Sequence, residues 1–137
     1  QSAIKKLRKS KHRPSKPLAL MYPDLETLQK DAVLTQSEAD AFQSIQSPVV
    51  LVKVKTRLES GICLNEIAPG LQQIGAMRPY AGMFELLLKK WGKPIIATSG
   101  NVSGSPIIYE DHSATEELKT IADIFLIHDR EIQISED

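Results

Sequence analysis

Apolar positions along this chain gather into short runs fenced by proline, glycine and charge, and the period of each run decides what it becomes. Val49–Val54 (VVLVKV) is β-branched and nearly continuous, which predicts a strand buried on both faces. Pro17–Tyr22, between prolines 17 and 23, predicts a second strand. Ile74–Met77, ending at Arg78-Pro79, and Pro94–Thr98 predict two more, and Ile124–Ile127 a last one. Residues 3–9 have the look of the last turns of a helix that Pro14 cannot continue. Asp24 is placed to cap a helix carrying Leu25, Leu28 and Ala32. Ser37 and Asp40 have capping-box spacing, with Asp in place of Glu or Gln, ahead of Ala41, Phe42 and Ile45. Met83, Phe84, Leu86, Leu87, Leu88 and Trp91 predict a helix with a broad apolar face, a Glu85–Lys89 pair and Gly92 as its stop. A final helix starts near Asp111 or Ser113 and carries Leu118, Ile121 and Ala122. Residues 55–73 give no clear element beyond a turn at Ala68–Leu71. Strands alternating with helices predict an α/β fold with a twisted, mixed and largely parallel sheet.

The composition adds a boundary to that picture. With 137 residues, 42% apolar and 25% charged, the chain has the balance of one folded domain, not of a disordered tail or a fibre. No apolar run nears the roughly 20 residues of a membrane helix, and no apolar stretch follows the cationic start as in a secretory signal. Cys63 is the only cysteine, so an internal disulfide is excluded. It reads as a small apolar residue of a reducing, cytoplasmic compartment.

Net charge is zero, yet Lys5, Lys6, Arg8, Lys9, Lys11, Arg13 and Lys16 crowd the first sixteen residues, where there is no acid. A solvated basic tail or a nonspecific nucleic-acid arm has this composition too. What separates the segment from a tail is that residues 9–17 (KSKHRPSKP) feed directly into an apolar strand. Lys11, Arg13 and Lys16 are thereby held near a strand end, and arginine's planar fork and lysine's compact charge both suit phosphate oxygens.

The second chemical segment is Thr98-Ser-Gly-Asn-Val-Ser-Gly104, at the exit of a strand. Small hydroxyl and amide side chains between glycines let backbone N–H groups approach an anion, and ligands of open α/β sheets commonly lie beyond strand ends. An ordinary strand-to-helix turn has the same residue types. Ser99 and Asn101 are the candidates for direct ligand contact. The segment is not a Walker loop, because no Gly-Lys-Ser/Thr follows at the required spacing. His12, His112 and His128 are too scattered for a metal pair, no Cys/His cluster exists, and the Gly-x-Ser-x-Gly elbow of the hydrolases is absent, so no metal ligand is assigned.

Residues 7–21 (LRKSKHRPSKPLALM) resemble the Lys-x-Arg-Pro…Lys-Pro-Leu signature of the YrdC-like family, and residues 94–104 (PIIATSGNVSG) resemble its second signature. Ser-Gly-Asn is the form found in the hydrogenase-maturation carbamoyltransferases of the HypF type; the branch that makes threonylcarbamoyl-adenylate for tRNA modification usually carries Ser-Ala-Asn. Ala68-Pro-Gly-Leu71 with Ile74–Tyr80, and Ala122–Ile132, also resemble the HypF form. The resemblance implies a twisted sheet around an open, positively lined cavity, and formation of carbamoyl-adenylate from carbamoyl phosphate and ATP, with Mg2+ arriving on the ATP. The carbamoyl group would pass to the C-terminal cysteine of a HypE-type partner. Carried over by position, Lys11 and Arg13 are the catalytic cations, while Lys16, Thr98, Ser99 and Asn101 bind nucleotide or substrate. Arg78 departs from the HypF pattern, which has an apolar residue before this proline, and is an added phosphate contact. Domains of this family also have a preceding strand-and-loop segment and a further C-terminal edge. Residues 1–137 are accordingly expected to be a piece of such a domain, silent in catalysis alone. The rival readings are threonylcarbamoyl-adenylate synthesis and an RNA-binding module built on the basic run.

Overall fold

The computed structural model describes residues 2–102, 104–129 and 132. In chain order the elements are α1 (Ser2–Ser10), β1 (Ala19–Met21), α2 (Leu25–Asp31), β2 (Ala32–Val33), α3 (Gln36–Gln43), β3 (Val50–Val54), α4 (Leu64–Ile67), β4 (Gln73–Met77), α5 (Gly82–Trp91), β5 (Ile95–Ala97) and α6 (Asp111–Glu117). They divide into two compact units, one drawn from Ser15–Thr98 and one from Gln1–Pro14 with Ser99–Asp137.

The first unit holds a mixed five-stranded sheet in the order β2-β3-β4-β1-β5. The α/β class and the mixed sheet agree with the sequence reading, but the balance of directions is reversed. Only β1 and β4 pair in parallel; β1–β5, β2–β3 and β3–β4 are antiparallel. Alternation of strands and helices carries no direction in itself. Here α2 leads not to a parallel neighbour of β1 but to the two-residue β2, at the far edge of the sheet.

Burial of Leu20, Tyr22, Leu28, Phe42, Val52, Ile67, Ile74 and Leu88 makes the core of this unit. Strand β3 is not buried on both faces: Val52 and Val54 point into the core, while Leu51 is 65% exposed and Lys53 lies in solvent. β-branching sets strand propensity, and it was the charged Lys53 within the run that marked the wet face. Helix α5 ends as its sequence predicts, at Gly92 with φ +70° and its N–H on the Leu88 carbonyl at 2.7 Å. Of its broad apolar face only Leu88 is buried, and Glu85 and Lys89 form no ion pair.

Asp24 caps α2 as expected, accepting from the Thr27 N–H at 2.7 Å. The capping box of α3 lies elsewhere than Ser37 and Asp40. Thr35 Oγ1 accepts from the Glu38 N–H at 3.3 Å and Glu38 Oε2 accepts from the Thr35 N–H at 2.7 Å. Thr-x-x-Glu satisfies both halves of the motif, and an Asp at the third position is too short to reach back. We expect Thr35→Ala to cost about 1 kcal/mol in urea unfolding and Ser37→Ala to stay within about 0.5 kcal/mol.

The second unit contains α1 and α6. Helix α6 stops at Glu117, and the N–H groups of Ile121 and Ala122 both return to the Leu118 carbonyl at 2.8 Å. The expected strand at Ile124–Ile127 does not form; Ile124, Leu126 and Ile127 are exposed and pair with no strand among the described residues. Ser103, Arg130 and Glu131, which fall in expected motifs, lie outside the described residues. No helix among the described residues is long and apolar enough to cross a membrane.

Candidate anion-binding site

The cationic segment is turned before Pro14 is reached. At the end of α1 the His12 N–H meets the Lys9 carbonyl at 3.2 Å and the Arg13 N–H meets the Arg8 carbonyl at 2.9 Å. That pair of bonds is a Schellman turn, in which the residue after the cap takes the left-handed conformation, usually as glycine. His12 occupies it at φ +50°, at a cost of roughly 1 kcal/mol. The turn leaves Lys11 as the C-cap of α1, its N–H on the Leu7 carbonyl at 2.9 Å, and only 2% of the residue is exposed.

The second segment is folded largely by its own side chains. Ser99 Oγ donates to Asn101 Oδ1 at 2.7 Å, Asn101 Nδ2 donates to the Ser105 carbonyl at 2.6 Å, and the Asn101 N–H meets the Ser99 carbonyl at 3.0 Å. The Ile108 N–H closes the loop on the Gly100 carbonyl at 2.9 Å. Its two glycines are not equivalent. Gly104 has φ +90°, whereas a Cβ at Gly100 meets Leu118 Cδ1 at an ordinary 3.8 Å. Gly100→Ala is therefore expected within about 0.5 kcal/mol of wild type and Gly104→Ala to cost about 1 kcal/mol, read as shifts in the denaturation midpoint.

Lys11 joins the two segments across some ninety positions of sequence. Its Nζ donates to the Ser99 carbonyl at 2.5 Å and to Asn101 Oδ1 at 3.3 Å. An ammonium has three donor directions, and the two oxygens that occupy them are both uncharged. Burial, and then the charge of Arg13, pull its pKa below the usual lysine value. A buried cation answered by neutral oxygens and crowded by a guanidinium is most stable with an anion beside it.

Of the residues marked in the sequence, Lys11, Arg13, Ser99 and Asn101 fall in one unit, and Lys11, Ser99 and Asn101 are in direct contact. Lys16 and Thr98 belong to the sheet unit and are exposed. Ala19 lies opposite Ala97, and Met21 opposite both Met77 and Ile95, so Lys16 and Thr98 flank one end of the sheet. Arg78 leaves β4, which runs parallel to β1, at the other end. The structure does not bring it to Lys16 and Thr98. Arg78 Nη1 donates to the Gln43 carbonyl at 3.0 Å, and the side chain lines a hollow with Asp24 and Glu85. Sequence reasoning overlooked Arg8, whose Nη1 donates to the Arg13 carbonyl at 3.0 Å, and the Ser105 carbonyl. The five-residue interval from Arg8 to Arg13 around a helix end was the available signal for the first. Among the described residues no three His, Cys, Asp or Glu side chains gather as a metal site would require.

Residues 1–137 match the model of the Sua5_yciO_yrdC family, described as "Telomere recombination", and the chain belongs to that family. Within it the similarity is to HypF proteins. Carbamoyltransferase HypF of Synechocystis sp. is 43% identical over 130 residues, which are 95% of this chain and 17% of that protein. A solved full-length HypF, in the phosphate- and nucleotide-bound form, superposes with a TM-score of 0.87 at 39% identity, over 96% of this chain and 20% of that one. The fold is shared more widely: Sua5 of P. abyssi, solved with L-threonine, gives a TM-score of 0.70 at 21% identity, over 90% of this chain and 36% of that one. The chain thus spans about a sixth of the length of the curated relatives it matches.

Proposed function

We propose that this chain binds ATP and takes part in forming carbamoyl-adenylate from carbamoyl phosphate within a HypF-type carbamoyltransferase of nickel–iron hydrogenase maturation. The observation that carries the reading is the Lys11 ammonium held by the Ser99 carbonyl and Asn101 Oδ1, a direct contact between residues of the two signatures. A similar HypF solved with phosphate and nucleotide bound supports it.

In the proposed reaction water hydrolyses carbamoyl phosphate to carbamate and inorganic phosphate, with a proton released to solvent. A carbamate oxygen then bonds to the α-phosphorus of ATP as the bond to the β-phosphate oxygen breaks, releasing pyrophosphate. That step gathers several anions and calls for no protein nucleophile, so positioning and charge neutralisation are what the protein supplies. Lys11 and Arg13 neutralise phosphate oxygens, the Ser99–Asn101 turn fixes Lys11, and Mg2+ enters on the ATP, held by its phosphates and water. Transfer of the carbamoyl group to a cysteine of a HypE-type partner belongs to the longer protein.

Calorimetric titration of this chain with ATP tests binding; no heat at millimolar ATP overturns the reading. In a HypF-type protein containing this segment, pyrophosphate release is expected with carbamoyl phosphate. Release with bicarbonate and threonine instead assigns the site to threonylcarbamoyl-adenylate.

A further inference from the structure

Arg8 sits on the last full turn of α1 with 9% of its surface exposed. Arginine is rarely buried unless its donors are engaged, and its Nη1 donates to the Arg13 carbonyl at 3.0 Å. The return bond, from the Arg13 N–H to the Arg8 carbonyl at 2.9 Å, links the two residues twice across the turn. In Schellman turns an apolar contact frequently joins this pair of positions; here both are arginine. An apolar pair would close the turn without desolvating a charge, and without adding a third cation near Lys11 and Arg13. The guanidinium does what an apolar pair cannot: it holds the Arg13 carbonyl and so fixes the course of residues 11–13.

We infer that Arg8 is a positioning residue, which sets Lys11 and Arg13 for the anion through the Arg13 carbonyl without touching the anion itself. This rests on reading the Ser99–Asn101 turn as an anion site. Its consequence is that loosening residue 8 frees Lys11 without replacing any side chain proposed to touch the anion.

The test follows the Lys11 side-chain NMR signals through their titration in the 137-residue chain, alongside calorimetric titration with ATP. In the unmodified chain the Lys11 midpoint is expected below the ordinary lysine value of 10.5. Arg8→Met is expected to move it up toward that value and to weaken ATP binding on the order of 10-fold. Arg8→Lys, whose ammonium still reaches the carbonyl, is expected to keep both nearer wild type. A folded Arg8→Met chain with an unmoved Lys11 midpoint overturns the assignment. A loss of melting temperature alone, with that midpoint unmoved, does so too. If Arg8→Met does not fold, the unmodified chain decides: Arg8 Nη protons resolved and slow to exchange support the role, and a single averaged signal overturns it. Absence of ATP binding in the unmodified chain counts against the nucleotide reading, while the Lys11 titration still decides for Arg8.

Discussion

Lys11→Met is expected to weaken ATP binding by roughly 10- to 100-fold, the range for losing charge-assisted hydrogen bonds, while leaving the melting temperature unchanged or raised. The asymmetry follows from what the ammonium does for the empty fold. Both of its acceptors keep another donor once it is gone: the Ser99 carbonyl still accepts the Asn101 N–H at 3.0 Å, and Asn101 Oδ1 still accepts Ser99 Oγ at 2.7 Å. No buried oxygen is stranded. The charge itself opposes folding, because burial and then Arg13 depress the Lys11 pKa below its ordinary 10.5. A lysine with a depressed folded pKa contributes fully above the unfolded value and loses that contribution as pH falls through the folded one. At neutral pH the protonated side chain is therefore a cost, and methionine removes it. The checks are calorimetry with ATP at pH 7 and melting curves between pH 7 and pH 11. The wild-type deficit relative to Lys11→Met should shrink as pH rises toward 10.5 and beyond. Equal losses of affinity and stability at pH 7 would make Lys11 a structural residue and not a ligand.

The sequence showed the residue types of this site better than their geometry. Strands at Ala19–Met21, Val50–Val54, Gln73–Met77 and Ile95–Ala97 and the helix ending at Gly92 were legible because apolar runs and glycine or proline stops act locally. Lys11, Ser99 and Asn101 were legible as candidates because a cationic run tied to a strand and a small-residue turn after one both suit an anion, although residue type alone does not separate them from a surface loop and an ordinary turn. Strand direction was not legible, since β1 and β4 are joined through five intervening elements that fix no orientation on their own. Arg78 was marked through the resemblance, as a cation where the HypF pattern has an apolar residue; its charge is visible in the sequence, but the parallel pairing that carries it to the far end of the sheet is not. The two-residue β2 and the short α4 were missed because neither is long enough to show a period. Apolar residues 124–127 look like a strand in sequence, yet a strand needs a partner edge, and none adjoins them among the described residues.

The largest stability effect is expected away from the anion site, at Asp31, the last residue of α2. It is fully buried, and its carboxylate accepts from the Tyr22 hydroxyl at 3.0 Å and the Ser60 N–H at 3.0 Å. This joins the end of β1 to the loop after β3. Asp31→Ala strands the buried Tyr22 hydroxyl and the part-buried Ser60 N–H together, at a combined cost of roughly 3 kcal/mol. Tyr22→Phe removes one donor from the carboxylate and should cost roughly 1.5 kcal/mol. The double variant should cost less than the two singles added, because once the carboxylate is gone the hydroxyl has nothing to satisfy. Titration gives an independent check. Burial first, then the charge of Asp31 and its hydrogen bond, push the Tyr22 pKa well above the ordinary 10.0. A raised folded pKa means that the contribution is intact below the unfolded value and is lost as pH climbs above it. Between pH 8 and pH 11.5, urea midpoints of the wild type should fall more steeply than those of Tyr22→Phe, both carrying the same lysine background. Parallel curves would mean that the hydroxyl ionises as easily folded as unfolded, and the buried pair would then have no claim to hold β1 in place.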